Sequence, residues 1–344
     1  MPHNRLSHTL GALLGLHAGD SLGATLEFLP WSQIQTLHPT GLRSIIGGGP
    51  FSWTPGHATD DTDLTRAVLL SYLDYENWWN SSDSKAPGAS FDITKSCADH
   101  SLSWLEGRWP DRDPGSGPRD IGGATYTGLA NYQKSGDPRK CGAGNGRAGN
   151  GSLMRCVPTA LFVYDVKSTT TEERKRRVRE SMEISSITHN DVRCTVACAA
   201  YNEIVAALVG GMEVVKAVGE GKRVADELDC PAVFKAIEKG EATSVVRLAK
   251  YGPGDEFPDQ TSGFVLQSLT LAVAAVLDVR PLEDVLVDVV RIGGDTDTNG
   301  AIAGGLLGAR DGVEKIPKKW LEKLQFREEF ETAAKRILEL QGRL

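Results

Sequence analysis

An all-α architecture is what this sequence predicts, on three observations. Apolar residues recur at helical spacing along most of the chain, their runs are rich in Ala and Leu rather than in Val, Ile and Thr, and no series of alternating strands is found. Leu6, Leu10, Leu13 and Leu14 place one apolar stripe on a first helix. Leu64, Val68 and Tyr72 place the next, directly after an acidic run. Further helices are expected at about 124–133, 154–163, 172–187, 191–209, 211–218, 231–238, 243–250 and 264–278. Leu282, Val285, Leu286, Val289 and Val290 then repeat at i, i+3, i+4, i+7 and i+8, and helices at 300–309 and 318–342 complete the series. Three glycine- and proline-rich stretches interrupt it, at 106–123, 134–151 and 252–263. Structureless loops of that length are uncommon in compact domains and are usually functional. Residues 81–90 and 219–230 read as polar surface excursions. No repeat at a solenoid period is present, which argues against a solenoid; one all-α domain over residues 1–344 is expected.

A chain of 344 residues can bury a substantial core. Its formal charge of −7 argues against a nucleic-acid partner, because neutralising phosphates needs a basic face. An anionic small ligand stays open, since bound divalent cations reverse the local field. The six cysteines include no C-x-x-C pair, which leaves a zinc site or disulfide framework without support. Cys194 and Cys198, one helical turn apart in an apolar stretch, read as small core residues. The N-terminus lacks the apolar segment of a secretory signal, and no stretch reaches the roughly 18 uncharged apolar residues of a membrane span. A monomer in a reducing intracellular compartment, without a membrane partner, is the expectation.

Two acidic clusters carry the chemistry. Thr59, Asp60 and Asp61 precede a helix; Asp295, Thr296, Asp297 and Thr298 stand between the helix ending near Arg291 and the one beginning near Gly300. Carboxylates and hydroxyls are ligands for hard cations such as Mg²⁺ or Mn²⁺. The first cluster alone reads first as a helix cap with acids at the dipole's positive end. The second matches the first half of an EF-hand loop, but the position of the bidentate Glu holds Leu306. An aspartyl-phosphate motif wants a strand before the first Asp and a Thr where Asn299 stands. What remains is an acidic turn between helices, which Gly300, Gly304 and Gly305 allow to pack closely, or a purely structural carboxylate turn.

Four further segments join these clusters in order: Gly15 to Ala24 leading to Glu27, Asn150-Gly151-Ser152-Leu153-Met154-Arg155, Thr188-His189-Asn190-Asp191, and Gly263-Phe264-Val265. With them the chain resembles the ADP-ribosylglycohydrolase family over about residues 8–310. The resemblance implies an orthogonal helix bundle with a centre of two Mg²⁺ or Mn²⁺ ions. It implies hydrolysis of the bond between C1″ of ADP-ribose and an acceptor, a protein side chain or a small conjugate. Thr59, Asp60, Asp61, Asp295, Asp297 and Thr298 match the family's metal ligands, and Glu27 an acid on a mobile loop that reaches a metal in some members.

Ribosyl cleavage passes through an oxocarbenium-like state in which a carboxylate orients or deprotonates water. Glu27 and Asp295 are the candidates for that water, Asp60 and Asp61 for metal and ribose, and Asp20 for support by hydrogen bonds. The loop Gly142–Gly151 contains Gly144-x-Gly146-x-x-Gly149, a poor dinucleotide fingerprint because no strand precedes it. Its backbone N–H groups still suit a pyrophosphate. Gly146, Arg147 and Ala148 match the diphosphate-binding stretch of the family, with Gly149, Asn150 and Gly151 completing it. Arg147 departs from the small or aromatic residues often found there; its guanidinium either meets phosphate or points to water. By the same resemblance His189 lies near the phosphates or distal ribose and Phe264 packs on adenine. Arg155 is expected to pair with a carboxylate. Trp53, Trp78, Trp79, Trp104 and Trp109 receive no role. The acceptor linkage is not readable, and the rival functions are a silent ADP-ribose-binding module and an Mg²⁺-dependent phosphoester hydrolase.

Overall fold

The computed structural model describes residues 4–163, 170–257 and 262–344. Residues 1–3 and Pro258 of the third expected loop lie outside that set. Sixteen α-helices and no strand occur among the described residues: α1 Arg5–Gly23, α2 Trp31–Leu37, α3 Asp60–Trp79, α4 Ile93–Leu105, α5 Gly123–Ser135, α6 Val157–Phe162, α7 Thr170–Ser186 and α8 Val192–Val209 in the first part, then α9 Val214–Glu227, α10 Pro231–Ala242, α11 Val245–Tyr251, α12 Val265–Leu277, α13 Leu282–Arg291, α14 Thr296–Asp311, α15 Lys318–Leu321 and α16 Arg327–Leu340. The all-α expectation holds.

Local chemistry explains most boundaries. Asn4, Asp92, Asp191 and Ser244 each cap a helix by accepting a backbone N–H with the side chain. Pro158 and Pro231 stand in the first turns of α6 and α10, where no N–H is needed. α8 is long and apolar enough to cross a membrane, but 78% of it is buried inside the protein, as befits a core helix. Its Cys194 and Cys198 are free, buried thiols.

Several elements depart from the sequence reading. α2 and α4 were not expected. The first turns only Ile34 fully inward, and the buried stripe of the second is diluted with Thr94, Cys97, Ala98 and Ser101. α9 continues through the supposed excursion to Glu227, because small residues (Ala217, Val218, Gly221, Val224, Ala225) make its buried face. The expected helix over 318–342 breaks at 322–326; buried Trp320 before the break and buried Phe326 at its end mask the interruption. α14 begins at Thr296 rather than near Gly300, so Asp297 and Thr298 stand in its first turn.

The axis of the fold is the antiparallel pair α1 and α14. Gly11, Gly15, Gly19 and Gly23 face Gly308, Gly304, Gly300 and Thr296; a Cβ added to any of the four would stand 2.0–2.4 Å from the facing carbonyl oxygen. At these four positions α1 brings no side chain to the seam, and the backbones touch. This contact fixes the end of α1, and with it Asp20 and Glu27, against the start of α14.

Candidate metal centre and active site

At the start of α3, the Thr59 hydroxyl caps the helix by accepting from the Asp61 N–H at 3.3 Å and donates to Asp61 Oδ2 at 3.0 Å. This ties Asp61 back onto the turn that presents Asp60. Asp20, fully buried on α1, holds that turn from below: its Oδ2 accepts from the N–H groups of Thr59 and Thr62 at 3.2 and 3.3 Å and from the Thr62 hydroxyl. The expected supporting role of Asp20 thus has a concrete geometry.

Opposite, Gly293 and Gly294 adopt φ +89° and +78°, left-handed values that let the chain turn from α13 into α14 within a few residues. Asp295 occupies the N-cap position without capping; its Oδ2 instead accepts from Asn150 Nδ2 at 2.7 Å. The Thr298 hydroxyl donates to Asp61 Oδ2 at 3.4 Å. That bond joins the two clusters across 237 positions.

Glu27 follows α1 and is buried, and carboxylate oxygens of Glu27, Asp120 and Asp297 lie within 4.8 Å of one another. Asp120 was not anticipated. It ends the long loop before α5, directly ahead of Ile121 and two glycines. The available signal was an acid at the junction of a suspect loop and a helix start.

Electrostatics make the centre costly without a cation. Asp20 Oδ1, Glu27 Oε2, Asp61 Oδ1 and Asp297 Oδ1 are buried with no hydrogen-bond partner. Burial first, then repulsion from Asp120, Asp295, Asp60 and Asp20, pushes the Glu27 carboxyl up to about 9. Burial and Asp295 raise Asp120 to about 6; burial and neighbouring acids hold Asp60, Asp61 and Asp297 well above the carboxylate range. An all-oxygen set with unpartnered buried oxygens fits hard divalent cations.

A cavity of about 750 Å³ opens over these acids. Glu27, Phe28, Asp60, Asp120, Asp295, Asp297 and Thr298 line it on one side; Gly149, Asn150, Gly151, His189, Ser262 and Gly263 line it on the other. Thr59 and Asp61 sit beneath this lining. The neutral side is built by short backbone bridges: Asn150 N–H donates to Gly263 O at 2.9 Å, Val265 N–H to Ala148 O at 3.0 Å, and Asn190 N–H to Ala143 O at 2.7 Å. Burial drives His189 down to about 3, so its imidazole is neutral. Arg155 donates to the Thr188 hydroxyl at 2.8 Å, and that hydroxyl is 2.8 Å from His189 Nδ1. This favours Nε2–H on the side of Gly149 and Gly151.

Other expected residues lie elsewhere. Gly146, Arg147 and Ala148 are outside the cavity lining: the Gly146 N–H is taken by Asp191 Oδ2 at 2.8 Å, and Arg147 is exposed. Phe264 is also outside it, its ring 5.7 Å from the Arg193 guanidinium. Arg155 pairs with no carboxylate; fully buried, it donates to Gly151 O, Ile184 O and Thr188 Oγ1, because those acceptors close the loop against α7. Phe28 and Thr125 line the cavity unpredicted, Phe28 with φ +63° and its N–H on Gly294 O at 2.8 Å.

A sequence model described as ADP-ribosylglycohydrolase matches residues 1–343. The chain belongs to the ADP-ribosylglycohydrolase family. Its enzyme class, a glycosidase acting on ADP-ribosyl bonds, follows from that membership. It is similar to the ADP-ribosyl-(dinitrogen reductase) glycohydrolase of Rhodospirillum rubrum, at 29% identity over 94% of this chain and 92% of that one. It is similar to the ADP-ribosylarginine hydrolase Tri1 of Pseudomonas putida, at 26% identity over 98% of this chain and 80% of the relative. A solved structure described as an ADP-ribosylglycohydrolase-related protein complex shares the fold with TM-score 0.74 and 27% identity, covering 98% of this chain and 99% of its own.

Proposed function

We propose that the protein hydrolyses the C1″ bond between ADP-ribose and an arginine side chain with the help of two Mg²⁺ or Mn²⁺ ions. The observation that carries this reading is the convergence of Glu27, Asp120 and Asp297, from three separate segments, beside buried carboxylate oxygens that have no donor. Thr59, Asp60, Asp61, Asp295, Asp297, Thr298 and Glu27 would hold the ions. When bound, such ions orient ribose hydroxyls and acidify water.

The chain's own groups supply the rest. Asn150 donates to Asp295 Oδ2 and so orients the Asp295 carboxylate in the cavity wall, where it is placed to hold a water. Carboxylate oxygens of Glu27 and Asp120 lie within 4.8 Å of each other, near enough for one water to relay a proton between them. One takes a proton from the attacking water as the oxygen bonds to C1″, and the pair returns that proton to the leaving nitrogen as the C1″–N bond breaks. The glycine-lined side with His189 brings no negative side chain toward a diphosphate, and it faces it with backbone amides and a neutral imidazole.

Arginine as acceptor is favoured by the two relatives named ADP-ribosylarginine hydrolase and by an arc of aromatic rings at the acidic side. Phe28, 63% exposed, meets Phe51 edge-on at 6.3 Å, and Phe51 meets Trp53 at 6.0 Å. The Arg119 guanidinium already lies over Trp53 at 5.7 Å, so the arc tolerates that group. Incubation with arginine- and serine-linked ADP-ribosyl peptides, with and without EDTA, tests the proposal. Free ADP-ribose from the arginine peptide, lost with EDTA and restored by Mg²⁺ or Mn²⁺, is expected. Inorganic phosphate in place of ADP-ribose, or ADP-ribose binding without turnover of either peptide, refutes it.

A further inference from the structure

Asp63 shares the first turn of α3 with Asp60 and Asp61 but is not part of the cavity lining. Both its oxygens are occupied by indoles: Oδ2 accepts from Trp104 Nε1 and Oδ1 from Trp109 Nε1, each at 2.8 Å. All three residues are buried. The loop after α4 is folded onto this point. Arg112 donates to Trp104 O at 2.7 Å and to Ser116 O at 2.5 Å, and the Gly115 N–H donates to Glu106 O at 2.8 Å. The Arg66 guanidinium covers the Trp109 ring at 4.3 Å. Residues 104–116 are therefore a closed knot fastened to the turn that presents Asp60 and Asp61. Asp120 follows four residues later.

We propose that Asp63, acting through Trp104 and Trp109, is the positioning residue that sets Asp120 against Glu27 and Asp297. Packing alone does not ask for a carboxylate here; an apolar side chain would fill the space without burying charge. Two indole donors on one carboxylate fix both the distance and the direction of the loop relative to α3. The helix turn holding Asp60 and Asp61 and the loop holding Asp120 are thereby locked in one register. This inference rests on the proposed hydrolysis only for its kinetic readout.

Trp109→Phe deletes one N–H and keeps a ring beneath Arg66; Trp104→Phe does the same at the other oxygen and stands in if the first variant misfolds. With the arginine-linked peptide and Mg²⁺, kcat is expected to fall about tenfold, with KM and ADP-ribose affinity changed less than about twofold, as displacement of one group demands. In an Asp120→Asn background the same substitution is expected to add nothing. Equal losses in both backgrounds, or an unchanged kcat, overturn the assignment. A crystal structure of Trp109→Phe gives a second reading that survives even if the wild type releases no ADP-ribose. Asp120 is expected to leave the 4.8 Å cluster with Glu27 and Asp297; Asp120 in place overturns the proposal.

Discussion

Replacing Gly15 by alanine isolates the contact on which the site is built. The new Cβ would stand 2.4 Å from Gly304 O, 3.2 Å from Gly304 C and 3.3 Å from Gly308 Cα, all backbone atoms that no rotamer change can move. Ordinary van der Waals contact begins at 3.4 Å, so α1 and α14 must part by about 1 Å at this level. Overpacking of this kind costs about 1–3 kcal/mol, and a backbone-to-backbone clash belongs at the upper end. Against it stands the helical preference for Ala over Gly, about 1 kcal/mol. The clash wins, and a net loss of about 2 kcal/mol is expected. Gly219 in α9 is the control, since nothing lies within 4 Å of its added Cβ. There the propensity acts alone, and Gly219→Ala is expected to stabilise by about 0.5–1 kcal/mol. Urea unfolding followed by far-UV circular dichroism reads both midpoints. A Gly15→Ala midpoint at or above the wild-type value would show that the seam has slack, and the reasoning would fail.

Three other perturbations are accessible. His17 is buried, accepts the Phe326 N–H at Nε2, and is driven down to about 3 by burial. Its proton is taken up by the unfolded chain from about pH 6.5 but by the folded one only near 3, so stability is full above about 6.5 and falls with pH. About 2 kcal/mol should be lost between pH 8 and pH 5, and urea midpoints of His17→Asn should vary less with pH by that amount. Arg155→Met strands Gly151 O, Ile184 O and Thr188 Oγ1; a loss of about 3 kcal/mol is expected in urea unfolding, and an unchanged midpoint would contradict it. Mg²⁺ or Mn²⁺ should raise the melting temperature, worth about 2.7 kcal/mol at a hundredfold excess over Kd, and Asp297→Asn should abolish the shift. A wild-type Tm indifferent to both ions would count against the metal centre.

Legibility in the sequence followed the range of the interactions. α13 was readable because Leu282, Val285, Leu286, Val289 and Val290 are large, apolar and periodic. α4 was not, because its inward face mixes Ile93 and Trp104 with small and hydroxylated residues. At the site, Asp60 with Asp61 and Asp295 with Asp297 announce themselves as neighbours along the chain. Asp120 is an isolated acid whose partners, Glu27 and Asp297, are brought to it only by tertiary structure. The Gly146–Ala148 stretch carried the right composition for a phosphate nest, but Asp191, held by Arg193, claims the Gly146 N–H. Backbone donors are interchangeable on paper, and only the fold decides which are free.

The seam between α1 and α14 also dictates when the site can exist. It joins residues 5–23 to residues 296–311, so the closest helix contact in the fold is among its most non-local. On a ribosome, the acids at 20, 27, 60 and 61 emerge long before Asp295 and Asp297, and they must wait nearly a whole chain length for their partners. Such late closure slows folding, since the entropy of a loop of that size is spent before any reward. It also means that a nascent or truncated chain ending before Asp295 lacks three of the seven proposed ligands. α1 and α14 act as a clasp, and the acidic centre forms only when that clasp shuts.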